Sequence, residues 1–472
     1  MVFSGILFIF YFLPIFLLVY QIARQKQKNW IILIASILFY SWGAPKFVFV
    51  ILASTILDFF IVRKIWESEG VKKKLFLSAS LAMNLGLLAY FKYANFFIDN
   101  VNAFLSNFGG QDIIWTKIAL PIGISFYTFQ TLTYAVDVYR GQHAPLKKVN
   151  DYLLYIMSFP QMIAGPIVRY NTIATQITNR EDTYNNKLIG FYRFSIGLAK
   201  KILIANVMGA QADLIMNGDI AGIGSNMAWL ATIAYTLQIY FDFAGYSDMA
   251  IGLGRMMGFT FPENFNSPYI SKSITEFWRR WHITLGGFMR DYLYIPLGGS
   301  RVTPSRVFFN LWFIFLVSGL WHGASWNFVL WGAFHGFFLI LDRAFLLKVM
   351  EKAGKIPSII LTFFIVMVGW VIFRLEDFEK MKIFLAEMFS GHASLSLPKT
   401  TPEFYPILII AIIFSFIGLS KVGKKLEDFF FFRKEYSPSQ NILLSVFSVV
   451  LVAICAGAIT TTGFNPFIYF RF

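Results

Sequence analysis

The sequence predicts an all-α, polytopic membrane protein, and three observations carry that expectation. Of its 472 residues, 57% are hydrophobic and 14% charged, against about 25% charged in ordinary soluble domains; the mean hydropathy is +0.60. Aromatic residues make up 19%, including 55 Phe, 22 Tyr and 12 Trp, a supply that suits lipid-facing helices and interfacial belts. Apolar runs approaching the ~20 residues needed to cross a bilayer recur along the chain. In hydrocarbon the backbone must satisfy its own polar groups, so such runs are helices.

The runs centre near residues 13, 37, 55, 84, 127, 158, 197, 236, 314, 336, 364, 412 and 449, which gives roughly 11–13 membrane helices. Several are interrupted, by Pro121 with Gly123, by Pro160 with Gly165 and Pro166, and by Gly245. Broken or re-entrant backbone at membrane depth survives only where protein or a water-filled cavity satisfies the freed groups. A central cavity in the middle third is the expectation. Residues 254–301 mix Trp and Phe with Glu276, Arg279, Arg280, Arg290, Asp291 and Arg301, so this stretch is expected to lie partly in the cytoplasmic interface and partly to re-enter the membrane. Residues 1–100 and 400–472 read as peripheral spans around a core at about 120–340, the whole forming a single integral-membrane domain. No low-complexity tract or internal repeat is visible.

The net charge of +15 does not indicate a nucleic-acid partner, because the cations cluster between apolar runs rather than on an amphipathic face. Arg24, Lys26 and Lys28 follow the first run, and Arg63, Lys64 and Lys72 to Lys74 follow the third, whereas residues 99–112 contain no Lys or Arg. By the positive-inside rule the amino terminus lies outside and the basic loops face the cytoplasm. The amino terminus lacks a basic n-region and a small-residue cleavage site, so the first run reads as a retained helix. The lone cysteine, Cys455, excludes disulfides and cysteine-based metal sites within the chain.

Five histidines occur: His143, His282, His322, His335 and His392. His322 lies in Ser318-Gly-Leu-Trp-His-Gly-Ala-Ser-Trp326 between two strongly apolar runs. An ionisable group there is costly and points to function, with imidazole the usual general base near neutral pH; the plainer alternative is a hydrogen bond between helices. His335, in Trp331-Gly-Ala-Phe-His-Gly336, reads as a structural hydrogen-bonding residue between closely packed helices. His143 and His392 fall in polar loops. In Phe277-Trp-Arg-Arg-Trp-His282, helical continuation would put Trp278 and His282 on one face and turn Arg279 and Arg280 elsewhere. Those arginines, with Arg290, suit the phosphates of a cytoplasmic donor or, equally, interfacial anchoring. Asp242 and Tyr246 could share an interior site, and Asp137 adds a carboxylate beside Tyr127 and Gln130; pairing with a cation is the favoured role for the acids. No phosphate-binding glycine loop or nucleophile elbow is present. No ligand cluster points to a metal.

Taken together, Pro121-Ile-Gly-Ile-Ser-Phe-Tyr-Thr-Phe-Gln130, Phe159-Pro-Gln-Met-Ile-Ala-Gly-Pro-Ile167, Tyr240-Phe-Asp-Phe-Ala-Gly-Tyr-Ser-Asp248, Asn264-Phe-Asn-Ser-Pro-Tyr269, Glu276-Phe-Trp-Arg-Arg-Trp-His282, Asp291-Tyr-Leu-Tyr-Ile-Pro-Leu-Gly-Gly299 and the His322 segment resemble the membrane-bound O-acyltransferases. The resemblance covers nearly the whole chain and is closer to the alginate O-acetylation branch than to the teichoic-acid D-alanyl branch. It implies that His322 is the membrane-embedded catalytic histidine, that His282 is the second, cytoplasmic-side histidine, and that a funnel from the cytoplasm narrows towards both. The implied activity is transfer of an acyl group, acetyl by preference, from acetyl-CoA or another thioester across a bacterial inner membrane to an exported or cell-wall polysaccharide. Arg279, Arg280, Arg290 and Trp278 would contact the donor, and no permanently bound cofactor is expected. Membrane lipids, an extracytoplasmic acetyltransferase-type protein and the polysaccharide are the expected partners. A transporter or flippase, or an O-acyltransferase acting on lipid or protein, are the alternatives.

Overall fold

The computed structural model describes residues 1–163, 165–180, 182–394 and 400–462. Ala164 of the 159–167 motif and residues 463–472 of the carboxy-terminal run lie outside the described residues. Among those described, the regular structure is helical, with one isolated antiparallel bridge between Phe265 and Trp281. Among the described residues five helices are long and apolar enough to cross a membrane, and six if the pair Phe404–Leu419 and Lys421–Phe432, bent by 98°, counts as one broken span. Other expected runs occupy shorter helices, such as Phe8–Ile22, or helices carrying Gln238, Asp242 and Asp248, such as Ser225–Met256. The protein is an all-α polytopic membrane protein.

Residues 1–183 with 254–262 form one compact unit, and residues 184–253 with 263–472 form another. The first contains α1 (Gln25–Gly43), α2 (Val48–Glu67), α3 (Gly70–Leu88), α4 (Ile124–Tyr139) and α5 (Val149–Met157). At its centre the buried Asp58 carboxylate accepts hydrogen bonds from the Ser80 and Tyr152 hydroxyls, both at 2.6 Å, and from Asn84 Nδ2 at 3.0 Å. Thr131 in turn donates to Asn84 Oδ1 at 3.0 Å. A charge removed from water is tolerable only with such compensation, and here it ties α2, α3, α4 and α5 together. Phe159 packs among Phe3, Phe8, Phe12, Phe16 and Phe39 at ring separations of 5.2–6.3 Å. The predicted break at Pro121 and Gly123 is real. Gly123 has φ +78° at the start of α4, and a Cβ there would sit 2.6 Å from the Met162 carbonyl oxygen.

The second unit is organised by helices that approach closely at glycine. α6 (Tyr184–Ala199) and α7 (Ser225–Met256) meet where a Cβ on Gly197 would lie 2.6 Å from the Gly245 oxygen, and one on Gly252 2.5 Å from the Gly190 oxygen. Gly245 therefore does not interrupt its run as the sequence suggested; it lies inside a continuous helix and admits a neighbouring backbone. Ion pairs flank the crossing: Lys201 with Asp242 at 2.8 Å, and Asp248 with Arg193 and Lys200 at 2.7 Å each. Asp242 is thus paired with Lys201, the cation partnership favoured for it from the sequence.

Further on come α8 (Ile274–Arg280), α9 (Ile283–Met289), α10 (Pro304–His322), α11 (Trp326–Leu341) and α12 (Lys355–Arg374), followed by α13 (Phe404–Phe416) and α14 (Pro438–Thr462). α10 and α11 form a hairpin joined by three residues. A Cβ on Gly319 would come within 2.2 Å of the Phe328 oxygen, and one on Gly332 within 2.3 Å of the Phe315 oxygen. Asn327 Nδ2 donates to the Phe373 carbonyl at 3.2 Å, docking the start of α11 on the end of α12. α13 buries Phe404, Ala411 and Ser415 and leaves Tyr405, Ile409, Ile412 and Ile413 exposed.

Candidate active site

His322 is the last residue of α10, and it is placed there by the glycines on either side. Gly319 lets α10 settle onto α11, while Gly323 leaves the helix in extended conformation against the Phe328 ring, where a Cβ would meet ring carbon at 2.1 Å. The imidazole is 7% exposed, and its Nδ1 lies 2.7 Å from the Ser318 carbonyl oxygen. A carbonyl only accepts, so Nδ1–H is the donor and the neutral ring carries its lone pair on Nε2. The fold thus selects one tautomer, the one with a basic Nε2. Trp321, Trp331 and Phe373 surround the ring, with centroids at 4.8, 4.9 and 5.5 Å.

His282 reaches the same place from a different element, and not by the helical continuation expected from Trp278. α8 stops at Arg280 because residues 280–283 turn to pair with 264–266: Asn266 N–H donates to the Arg280 carbonyl and Ile283 N–H to the Asn264 carbonyl, both at 3.0 Å. His282 then adopts φ +46°, a left-handed conformation unusual for a residue other than glycine, and leads into α9. Such backbone persists where surrounding structure over-determines it. Asn264 supplies much of that constraint, since its Oδ1 lies 3.0 Å from His282 Nδ1 and accepts from the Thr284 hydroxyl at 2.9 Å. Asn264 Nδ2 is itself occupied by the Ser247 hydroxyl at 3.1 Å. As in His322, Nδ1 is the donor and Nε2 bears the lone pair. Burial, and secondarily the nearby His322, hold the His282 imidazole well below its ordinary pKa, so the ring is neutral. Trp321 bridges the two histidines, 6.0 Å from His282 and 4.8 Å from His322.

His335 belongs to the same aromatic cage. It packs edge-on to Trp278 at 5.0 Å and to Trp331 at 5.1 Å, with Trp331 also touching His322. Its ring fits because α12 carries Gly369, where a Cβ would lie 2.7 Å from His335 Nε2. The interhelical hydrogen bond expected of His335 is not made: it is wholly buried, yet neither ring nitrogen has a hydrogen-bond partner among the described residues.

The arginines find other partners or face solvent. Arg280 bonds Glu276 at 2.9 Å and the Asn266 carbonyl at 3.1 Å; Arg290 is exposed and bonds its neighbour Asp291 at 2.6 Å; Arg279 is exposed. Trp278, grouped with them from sequence, instead turns inward onto His335, Trp331 and Phe315. His143 packs on Tyr170 and His392 lies exposed. Asn264 is the residue whose role sequence reasoning missed. Its only signal was a place in a recognised motif, since the contact to His282 spans 18 positions. No group of three or more His, Cys, Asp or Glu that could hold a metal ion occurs among the described residues.

A profile of the membrane-bound O-acyltransferase family matches residues 36–373, a span that includes all three buried histidines. The chain belongs to the membrane-bound O-acyltransferase family. It is accordingly an acyltransferase, and the transporter alternative falls. A probable alginate O-acetylase, AlgI, from Pseudomonas putida is 38% identical over the full length of both chains. A peptidoglycan O-acetyltransferase from Helicobacter pylori is 36% identical, covering 86% of this chain and 83% of its own. The similarity to a teichoic acid D-alanyltransferase from Bacillus subtilis is 29% over 55% of this chain and 69% of the other.

Proposed function

We propose that this acyltransferase moves an acetyl group from a cytoplasmic thioester, acetyl-CoA by preference, to a hydroxyl of an exported or cell-wall polysaccharide, with a partner protein outside the membrane completing the transfer. The observation that carries the chemistry is the Nδ1–H bond from His322 to the Ser318 carbonyl, which leaves Nε2 as the basic atom in a buried aromatic cage. In this reading Nε2 removes the acceptor hydroxyl proton as the oxygen attacks the thioester carbon. The C–O bond forms, the C–S bond breaks, and the proton leaves with the thiol. His282, neutral and fixed by Asn264, orients the donor or assists the proton. Exclusion of water from the cage protects the thioester and strengthens each electrostatic contact.

Donor phosphates would meet Arg279, Arg280 and Arg290; the exposure of Arg279 and Arg290 keeps them within reach of a soluble molecule. The polysaccharide acceptor is supported by the relatives named for alginate and for peptidoglycan. The family match runs through both compact units, which supports one integral-membrane domain; the distribution of basic loops supports an amino terminus outside a bacterial inner membrane. Deleting the protein and measuring ester-linked acetate on secreted and wall polysaccharides tests the function. Loss from one polymer, restored by the wild type and not by His322→Ala, is the expected result; unchanged acetate on both would overturn it.

A further inference from the structure

The second unit contains a cavity of about 370 Å³ that includes none of the three buried histidines. Its wall is mostly aliphatic and aromatic, drawn from α6, α7, α13, α14 and the segment leading to Phe432. One part is different. Arg193, Lys200, Asp248 and Glu427 also line it, two cations and two carboxylates. Ile410, Phe414, Leu426 and Phe432 line it too and are between 39% and 50% exposed. The mouth is therefore apolar and open to whatever surrounds the protein, which for a membrane-spanning chain is lipid.

From this geometry we infer that the cavity is a binding site for one zwitterionic phospholipid, with an acyl chain among the apolar side chains and its headgroup against the charged end. The charges decide the headgroup. Lys200 retains some exposure while paired with Asp248 and can share its ammonium with a phosphate, and Glu427 offers a carboxylate to an amine. An anionic head would find its attraction to Lys200 and Arg193 offset by Asp248 and Glu427, with Glu263 also paired to Arg193, whereas a head carrying both signs meets complementary charge at each end. The apolar entrance selects a ligand arriving from the hydrocarbon phase over one from water, since it never has to desolvate its chain.

Occupancy has a structural route to the histidines. Phe265 lines the cavity and also forms the bridge to Trp281, immediately before His282. Its ring lies 5.0 Å from Phe243, which is 4.7 Å from His282. A chain packed against Phe265 would hold that bridge in place, so the lipid stabilises the element that presents His282.

The test is native mass spectrometry of the full chain, delipidated in mild detergent and titrated separately with phosphatidylethanolamine and phosphatidylglycerol of matched chains. One retained phosphatidylethanolamine per chain, held in preference to phosphatidylglycerol, is the expected result. Ile410→Trp, or Leu451→Phe if the first does not fold, should lower retention at least about tenfold by filling the cavity. Glu427→Gln should bring the two lipids closer together. Equal retention by wild type and a folded cavity-filled variant, or a preference for phosphatidylglycerol, would overturn the assignment. Retention is read without acyl transfer, so this outcome is independent of the proposed reaction.

Discussion

Replacing His322 by glutamine separates its chemistry from its packing. The glutamine amide can still donate to the Ser318 carbonyl that now accepts from Nδ1 at 2.7 Å, so the backbone group need not be left unpaired. What disappears is the basic Nε2. General-base catalysis is typically worth 10²–10⁴-fold, or about 2.7–5.4 kcal/mol of barrier, and that is the expected loss in turnover. The stability cost should be much smaller. If the Ser318 bond is lost as well, its net worth is about 1 kcal/mol, and the Trp331 and Trp321 contacts persist in part. The assay uses reconstituted protein, radiolabelled acetyl-CoA and purified acceptor, with thermal unfolding measured on the same preparation. Turnover within tenfold of wild type from a His322→Gln protein of unchanged stability would refute the general-base assignment.

His335→Phe should retain most activity and stability, because the nitrogens it removes have no partner among the described residues, whereas His335→Gln should unfold more readily; stability and turnover of the two, compared side by side, check this. Charge removal in Arg279→Gln/Arg280→Gln should raise the apparent KM for the donor in a folded protein, and unchanged donor kinetics would leave these arginines as interfacial anchors. With Cys455 replaced, Ser106→Cys should react with an impermeant thiol reagent in intact cells and Ser68→Cys should not. The depressed pKa of His282 means that the unfolded chain binds a proton the folded protein refuses, so its contribution is full above the unfolded value near 6.5 and is lost as pH falls. Thermal stability of the purified protein should therefore drop from pH 7.5 to 5.5, and His282→Gln should flatten that dependence.

Much of the fold was legible because membrane solvation leaves a strong mark on composition and run length. Several polar residues of the chain's middle third, Asp242, Asp248 and His282 among them, were also found buried, and His322 could be singled out from its apolar flanks alone. Contacts of large sequence separation were not legible. Nothing local announces that Asp58 would be held by Ser80, Asn84 and Tyr152, or that Gly245 serves a crossing with Gly197 and not a break. The helical face proposed for Trp278 and His282 failed for the same reason. Local spacing favours a continuous helix through residue 282, but pairing with residues 264–266 replaces the next helical turn.

That replacement bears on mechanism. Had α8 continued, His282 would have been oriented by a helix alone, free to change rotamer with its neighbours. Instead its backbone is held at φ +46° and its ring at Asn264, whose two amide atoms are both engaged. His322 is fixed by a shorter route, through a carbonyl one turn earlier on its own helix. Both arrangements put a donor proton on Nδ1 and basicity on Nε2, although the two histidines arise from unrelated elements. In each ring one nitrogen fixes orientation and the other carries the basic lone pair, the division of roles that proton transfer requires.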